Sequence, residues 1–173
     1  MSTIVDGTTG VSLVQDGVVV NADIVSVASS KITGTTTNDN AAAGVIGEYL
    51  SAQRLLANAN PVTTGTGNDA TSLTLTPGDW DVSGMSGINF GTGANVTVLR
   101  TSLSLTSATI NLDNGIGQKF GAAGIVPQDP LSYTVPMLRV SVAVNTSVFL
   151  VARVDFTGGT AAIYGNIQAR RVR

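Results

Sequence analysis

Hydrophobic and polar positions along this chain alternate in short runs of period two. That is the signature of half-buried β-strands, because successive side chains of a strand point to opposite faces. The sharpest stretch is LTLTPGDWDVSG over 73–84. Leu73 and Leu75 alternate with Thr74 and Thr76, Pro77-Gly78-Asp79 turns the chain, and Trp80 and Val82 alternate with Asp81 and Ser83. This predicts a hairpin or corner of antiparallel sheet in which both leucines, Trp80 and Val82 cover one core while the aspartates stay in water.

The C-terminal third repeats the pattern. From Pro136 to Asn145, Leu138, Val140, Val142 and Val144 share one face, and Arg139, Ser141 and Ala143 share the other. The next run, SVFLVARVDF, sets Val148, Leu150, Ala152, Val154 and Phe156 on one side but also places Phe149 and Val151 on the opposite side. After Thr157-Gly158-Gly159, residues Ala161, Ile163, Gly165, Ile167 and Ala169 alternate against Ala162, Tyr164, Asn166, Gln168 and Arg170. Three adjacent hairpin strands are expected here. The outer face of a two-sheet sandwich should be polar, so Phe149, Val151 and Tyr164 call for a cover. A neighbouring subunit is the expected one, which makes these three residues the predicted interface of a closed trimer. A loop folded over that face, within 114–132, is the alternative.

The first 40 residues read differently. VSLVQ, VVVNADIVSV and SSKITGT are short β-prone pieces that cannot build a core alone, and three copies wound together could bury them as a stalk or attachment segment. AAAGVIGEYLSAQRLLANAN, over 41–60, is ambiguous. Its helix formers, with apolar residues at Ile46, Tyr49, Leu50 and Leu56 and a cap at Asp39 or Asn40, favour a helix; Gly44, Gly47 and the turn-rich stretch Ala59 to Asn68 oppose it.

Composition narrows the class. With 173 residues and 43% hydrophobic content, the chain can bury one sizeable core plus an extension. Only 12% of residues are charged, a surface often covered by neighbouring subunits. Net charge is −2, which gives no global attraction to nucleic acid. The charge is uneven: residues 1–99 carry eight acids against two bases, and residues 100–173 carry seven bases against three acids. An elongated chain would be electrically polar along its length, whereas mixing of the halves in one globule would erase the asymmetry. Cysteine and histidine are absent, which excludes disulfides, thiolate chemistry, Ser-His-Asp triads and the common zinc sites. No signal-peptide pattern opens the chain and no apolar run reaches membrane-spanning length, so neither secretion nor membrane insertion is expected.

Candidate chemistry is sparse. Asp79 and Asp81 flank Trp80, a pairing seen in glycoside hydrolysis and sugar stacking, but turn preference and strand phase account for all three. Asn38-Asp39-Asn40 and Asn68-Asp69 gather oxygen ligands without the spacing and terminal Glu of a calcium loop. The glycine-rich stretches at Gly91-Thr92-Gly93, Gly115-Ile116-Gly117 and Gly121 match no phosphate-binding motif. Tyr133, Tyr164 and Phe120 could stack on sugars or pack in a core or interface. Arg170, Arg171 and Arg173 form a terminal basic cluster fit to contact an acidic polysaccharide or an acidic neighbour. No catalytic residue, cofactor site or metal site is assigned.

ITGTTTNDNAAAGVIGEYLSA, SLTLTPGDWDVSG and the closing GNIQARRVR together resemble fibre and spike proteins of tailed bacteriophages, across about residues 30–173. The resemblance implies an all-β antiparallel sandwich of the tumour-necrosis-factor and C1q jelly-roll type. It implies a segment 1–44 that attaches to other virion proteins, a jelly roll over 45–173, and a homotrimer. It also turns the ambiguous stretch into a first strand beginning near Glu48. The expected function is non-enzymatic: a virion component, made in the bacterial cytoplasm, that binds a host-surface polysaccharide or protein. A decoration or assembly protein that caps or bridges virion subunits is the alternative.

Overall fold

The computed structural model describes residues 39–112, 117–125 and 130–173. The proposed attachment pieces in 1–38, including Asn38, lie outside the described residues, as do residue 113 and, within the candidate covering loop 114–132, residues 114–116 and 126–129. A compact unit runs from Asn40 to Arg173.

The described residues of this unit form an antiparallel sandwich of nine strands. These are β1 (Tyr49–Arg54), β2 (Asn60–Val62), β3 (Gly67–Leu75), β4 (Gly78–Phe90), β5 (Asn95–Ser104), β6 (Gly117–Ile125), β7 (Leu131–Val142), β8 (Thr146–Thr157) and β9 (Ala161–Arg171). One sheet, called sheet A below, has the order β1-β9-β4-β7, with β2 also on β9; the other, sheet B, has the order β3-β8-β5-β6. β1 and β2 are two halves of one edge, broken by a single 3₁₀ turn at Leu56–Asn58. Counted so, the sandwich is an eight-stranded jelly roll. The ambiguous stretch is therefore a strand starting next to Glu48, and Gly44 and Gly47, both at positive φ, belong to the turns that lead into it.

The run 73–84 is a corner, not a hairpin, because β3 and β4 lie in different sheets. The three closing strands likewise are not adjacent hairpins. β7 pairs with β4, β8 with β3 and β5, and β9 with β1, β2 and β4, so each connection crosses the sandwich. Alternation within a strand fixes which face is apolar; it does not fix which strand lies alongside.

The core is where the alternation placed it. Leu73, Leu75, Trp80, Val82, Val148, Leu150, Ala152, Val154, Ile163, Ile167 and Ala169 are buried between the sheets. Phase slips mark β-bulges, where one strand carries an extra residue. Between Val82 and Gly84 the partner on β7 jumps from Leu138 to Val135, which lets Val135 and Val140 both point inward despite their odd spacing. Phe120 and Tyr133 meet across β6 and β7 with ring centroids 4.4 Å apart and pack against the same core, so they are packing residues here. Inside this apolar layer one polar pair links the sheets: Ser86 Oγ on β4 donates to Thr101 Oγ1 on β5 at 2.8 Å, and both residues are buried.

Trp80 has no exposed surface and its Nε1 donates to the Thr76 carbonyl at 2.9 Å. Truncation of Trp80 to Ala removes the largest side chain of the core, and should lower unfolding free energy by about 3–5 kcal/mol. Denaturant titration of the two proteins measures this, and iodide should barely quench the native tryptophan fluorescence.

Candidate functional site

The densest polar constellation sits at the end of the sandwich where β4 begins and β9 ends. Arg171 continues the inward phase of β9 set by Ile163, Ile167 and Ala169, so its guanidinium enters the corner instead of leaving it. There its Nε donates to Glu48 Oε2 at 2.9 Å, Nη1 donates to the Pro77 carbonyl at 2.7 Å, and Nη2 donates to Thr76 Oγ1. The guanidinium also lies 4.3 Å from the Trp80 ring centroid, a cation–π contact. Glu48 and Arg171 are both nearly inaccessible to water. Gly78, at φ +142°, makes room for this arrangement, since a Cβ there would stand 2.0 Å from Arg171 Nη1.

Asp79 anchors the second half of the constellation. It was expected in water; instead it is buried, and its carboxylate accepts from Arg139 Nη2 at 3.0 Å and from Arg173 Nε. Its backbone also pairs with Val172 and Arg173. Hydrogen bonds from Ser141, Arg139 and Arg173 pull the Asp79 carboxyl down to about 2. The Gly44 N–H, 2.8 Å from Glu48 Oε2, is the main reason the Glu48 carboxyl is also lowered, with help from Arg171 against the opposing effect of burial.

This changes the standing of the terminal arginines. Arg171 is not available to a ligand: its guanidinium is buried and each of its nitrogens is hydrogen-bonded inside the fold. Arg173 is largely exposed but paired with Asp79. Arg170, exposed on the outer face of sheet A, sits opposite Tyr49 and Asp81. The three arginines thus do not form one basic surface. Parity along β9 carried the signal, since Arg171 is two residues beyond Ala169 on the core phase. Glu48 gave no comparable signal, because its partner is 123 residues away.

The predicted interface residues also separate. Phe149 and Val151 are on the outer face of sheet B, and Tyr164 is on the outer face of sheet A. Val151 has no exposed surface in the single chain. Its direct neighbours across the sheet, Asp69 and Ser102, share its face. Both are tied to the loop that follows β5: Asp69 accepts from the Ala108 N–H at 2.8 Å, and Ser102 Oγ accepts from the Asn111 N–H at 3.0 Å. The chain's own loop 105–112 therefore covers Val151, the service assigned from sequence to a neighbouring subunit. Phe149 remains half-buried. Tyr164 lies flat over Gly87, where a Cβ would approach its ring to 2.1 Å.

Two outer surfaces remain open. On sheet A, a concavity of about 150 Å³ is lined by Leu55, Leu56, Met85 and Tyr164 together with Gln53 and Asn166. On sheet B, Arg153 of β8 stands opposite Arg100 of β5, which stands opposite Lys119 of β6. Asp155 accepts from Arg100 Nη1 at 2.7 Å and from Arg153 Nε at 2.9 Å. Burial pushes the Asp155 carboxyl up, but the two arginines outweigh it and leave it below its ordinary value. Among the described residues no three potential metal ligands cluster, and no helix is long and apolar enough to cross a membrane.

No protein-family model matches the chain, and no curated protein matches it. Among solved structures, one described as "Structure of infectious bursal disease virus Gx strain" is similar to 70% of this chain with a TM-score of 0.35 and 10% identity. The chain spans 31% of the length of that neighbour.

Two expectations follow from the corner. Replacing Arg171 by Ala leaves the buried Glu48 carboxylate without a cation, though still bonded to the Gly44 N–H, and should lower stability by about 3 kcal/mol, the lower end for severing a buried ion pair. Denaturant titration measures it. Because the folded carboxyls of Asp79, Glu48 and Asp155 lie below their unfolded values, their stabilisation is present above the unfolded range near pH 4 and is lost as pH falls towards about 2. The melting temperature should be level from pH 7 to pH 5 and fall steeply below about pH 4. The variant Asp79→Asn should melt lower at pH 7 and show a shallower acid decline.

Proposed function

We propose that this chain is a non-enzymatic structural and adhesion component of a virus particle, of the tailed-phage fibre or spike kind, whose jelly roll is presented as a homotrimer to the host cell surface. The observation that carries this reading is the engagement of the buried charge. Glu48, Asp79 and Arg171 are each held by partners within the corner, where they lock strands together, and the open surfaces are broad sheet faces. Such a body is a platform for contact. Repeated three times on one knob and many times on a particle, weak contacts give avidity far above that of a single site.

Exposed apolar side chains support the trimer. Met85, Leu55 and Leu56 border the concavity on sheet A beside the half-buried Tyr164, while Met137 and Val144, each 68% exposed, lie on and just beyond the edge strand β7. Two different patches on one subunit suit a heterologous contact, the kind that closes into a ring when the rotation permits. In this reading residues 1–44 join the chain to other virion proteins.

Light scattering coupled to sizing should report three chains for the wild type. Met85→Arg, at the rim of the concavity, should yield a folded monomer. The adhesion reading is checked by competition: purified protein added to host cells should block adsorption of the particle, and antibody raised against the jelly roll should label the particle. Labelling without competition would transfer the chain to the decoration or assembly class.

A further inference from the structure

We propose that the outer face of sheet B carries a recognition site for an acidic polysaccharide, formed by Arg153, Arg100 and Lys119. This rests on the adhesion reading above and adds to it the surface and the ligand chemistry. The three residues come from β8, β5 and β6, separated by 19 positions at their nearest and 53 at their widest, and no feature of the sequence brings them together. Strand register does so. Arg153 is paired with Arg100, and Arg100 with Lys119, so the three side chains project from one face in a line perpendicular to the strands. At the usual spacing between strands the line spans about 10 Å.

The charge in this row is unbalanced. Among the described residues Asp155 is the one carboxylate bridging Arg100 and Arg153, and it uses one nitrogen of each guanidinium at the geometries given above. The remaining guanidinium nitrogens are donors without a described partner. Lys119 is exposed and forms no ion pair with a described residue. Asp155 therefore does more than neutralise: it holds two long side chains in fixed positions, which reduces the rotamer entropy lost when a ligand is bound. The row is also bounded. On one side is the row Asp69–Val151–Ser102 under the loop 105–112, and on the other are Val98 and Gly121, where no atom stands within 4 Å of a Cβ built on the glycine. A flat cationic strip with one open shoulder suits a linear chain carrying regularly spaced carboxylate or sulfate groups.

Charge complementarity is the reason for that occupant. The surplus in the strip is two positive charges on a chain whose net charge is −2, so attraction to an anion is local to this face. A nucleic acid would ask for a larger basic area and for aromatic rings on which bases stack; the row contains none. The sequence points to Arg170, Arg171 and Arg173 for contact with an acidic polysaccharide or an acidic neighbour. The fold withdraws Arg171 and pairs Arg173, and it assembles a different set of cations on the opposite sheet.

The experiment uses the full chain and four immobilised probes: alginate as a carboxylated polysaccharide, heparin as a sulfated one, dextran as a neutral one, and oligothymidylate. Retention should be strong on alginate or heparin, absent on dextran, and should weaken steeply with salt. Lys119→Glu should reduce binding by about tenfold, the effect expected for loss of one charged contact, and Lys119→Arg should restore it. Because Lys119 is exposed, the melting temperature of both variants should match that of the wild type. Arg170→Ala should bind as the wild type does. Undiminished binding by a Lys119→Glu, Arg153→Gln double variant would overturn the assignment, as would equal retention on dextran or tighter binding to oligothymidylate. The competition assay separates this from the adhesion reading. If Lys119→Glu blocks particle adsorption as well as the wild type, adhesion stands and the strip is not its site; if neither protein blocks, the adhesion reading itself fails.

Discussion

The sandwich depends on a single guanidinium. Arg171 touches the segment before β1 through Glu48, the end of β3 through Thr76, the turn through Pro77 and the start of β4 through Trp80. It thus ties sheet A to the corner that leads out of sheet B. A charged group so placed is tolerable because each of its three nitrogens has an acceptor and its face rests on an aromatic ring, which offset the cost of desolvation. Gly78 belongs to the same constraint, as its missing Cβ is the space that Arg171 Nη1 occupies. Composition explains why a lone arginine has such reach. With 12% charged residues, the chain has few ion pairs available, and three of its salt bridges converge on Asp79 and Glu48 at this end.

The face that each strand buries was legible in the sequence because period-two alternation reports it directly. Leu73, Leu75, Trp80 and Val82 were placed correctly on that basis, as were the inward sets of β8 and β9. Strand pairing was not legible. The pattern of β7, β8 and β9 is the same whether they lie side by side or alternate between sheets, and only the long-range register decides. Val151 shows the limit from another direction. An outward apolar residue on a central strand tells that a cover exists, but Asp69 and Ser102, which fasten the cover, look like ordinary polar residues until the loop is seen on them. Sequence also grouped charges by proximity along the chain, as in Arg170 to Arg173. The fold grouped them by register, as in Arg100, Lys119 and Arg153.

The two sheets divide the surface chemistry. Around Tyr164, sheet A presents amides, hydroxyls and a few apolar side chains, with Asp81, Arg139 and Arg170 on its other strand positions, and sheet B presents the cations Arg100, Arg153 and Lys119. A contact between subunits favours the former, since apolar burial is insensitive to salt and amides can pair across a dry surface. A contact with a hydrated, charged chain favours the latter, where solvent need not be fully expelled. The two roles proposed for the jelly roll can therefore coexist without competing for the same residues.

The strand order has a kinetic consequence. β9, the last strand in sequence, lies in sheet A between β1 and β4, and its contact with β1 closes a loop of more than a hundred residues, as the pairing of Tyr49 with Gln168 illustrates. Such non-local pairing makes folding slow, because chain entropy is lost before the contacts that compensate for it have formed. The reverse journey is obstructed too: freeing β9 means breaking hydrogen bonds on both of its flanks and withdrawing Arg171 from the corner. In the virion role proposed above, the persistence of this domain is therefore expected to be governed by its unfolding rate more than by its equilibrium stability.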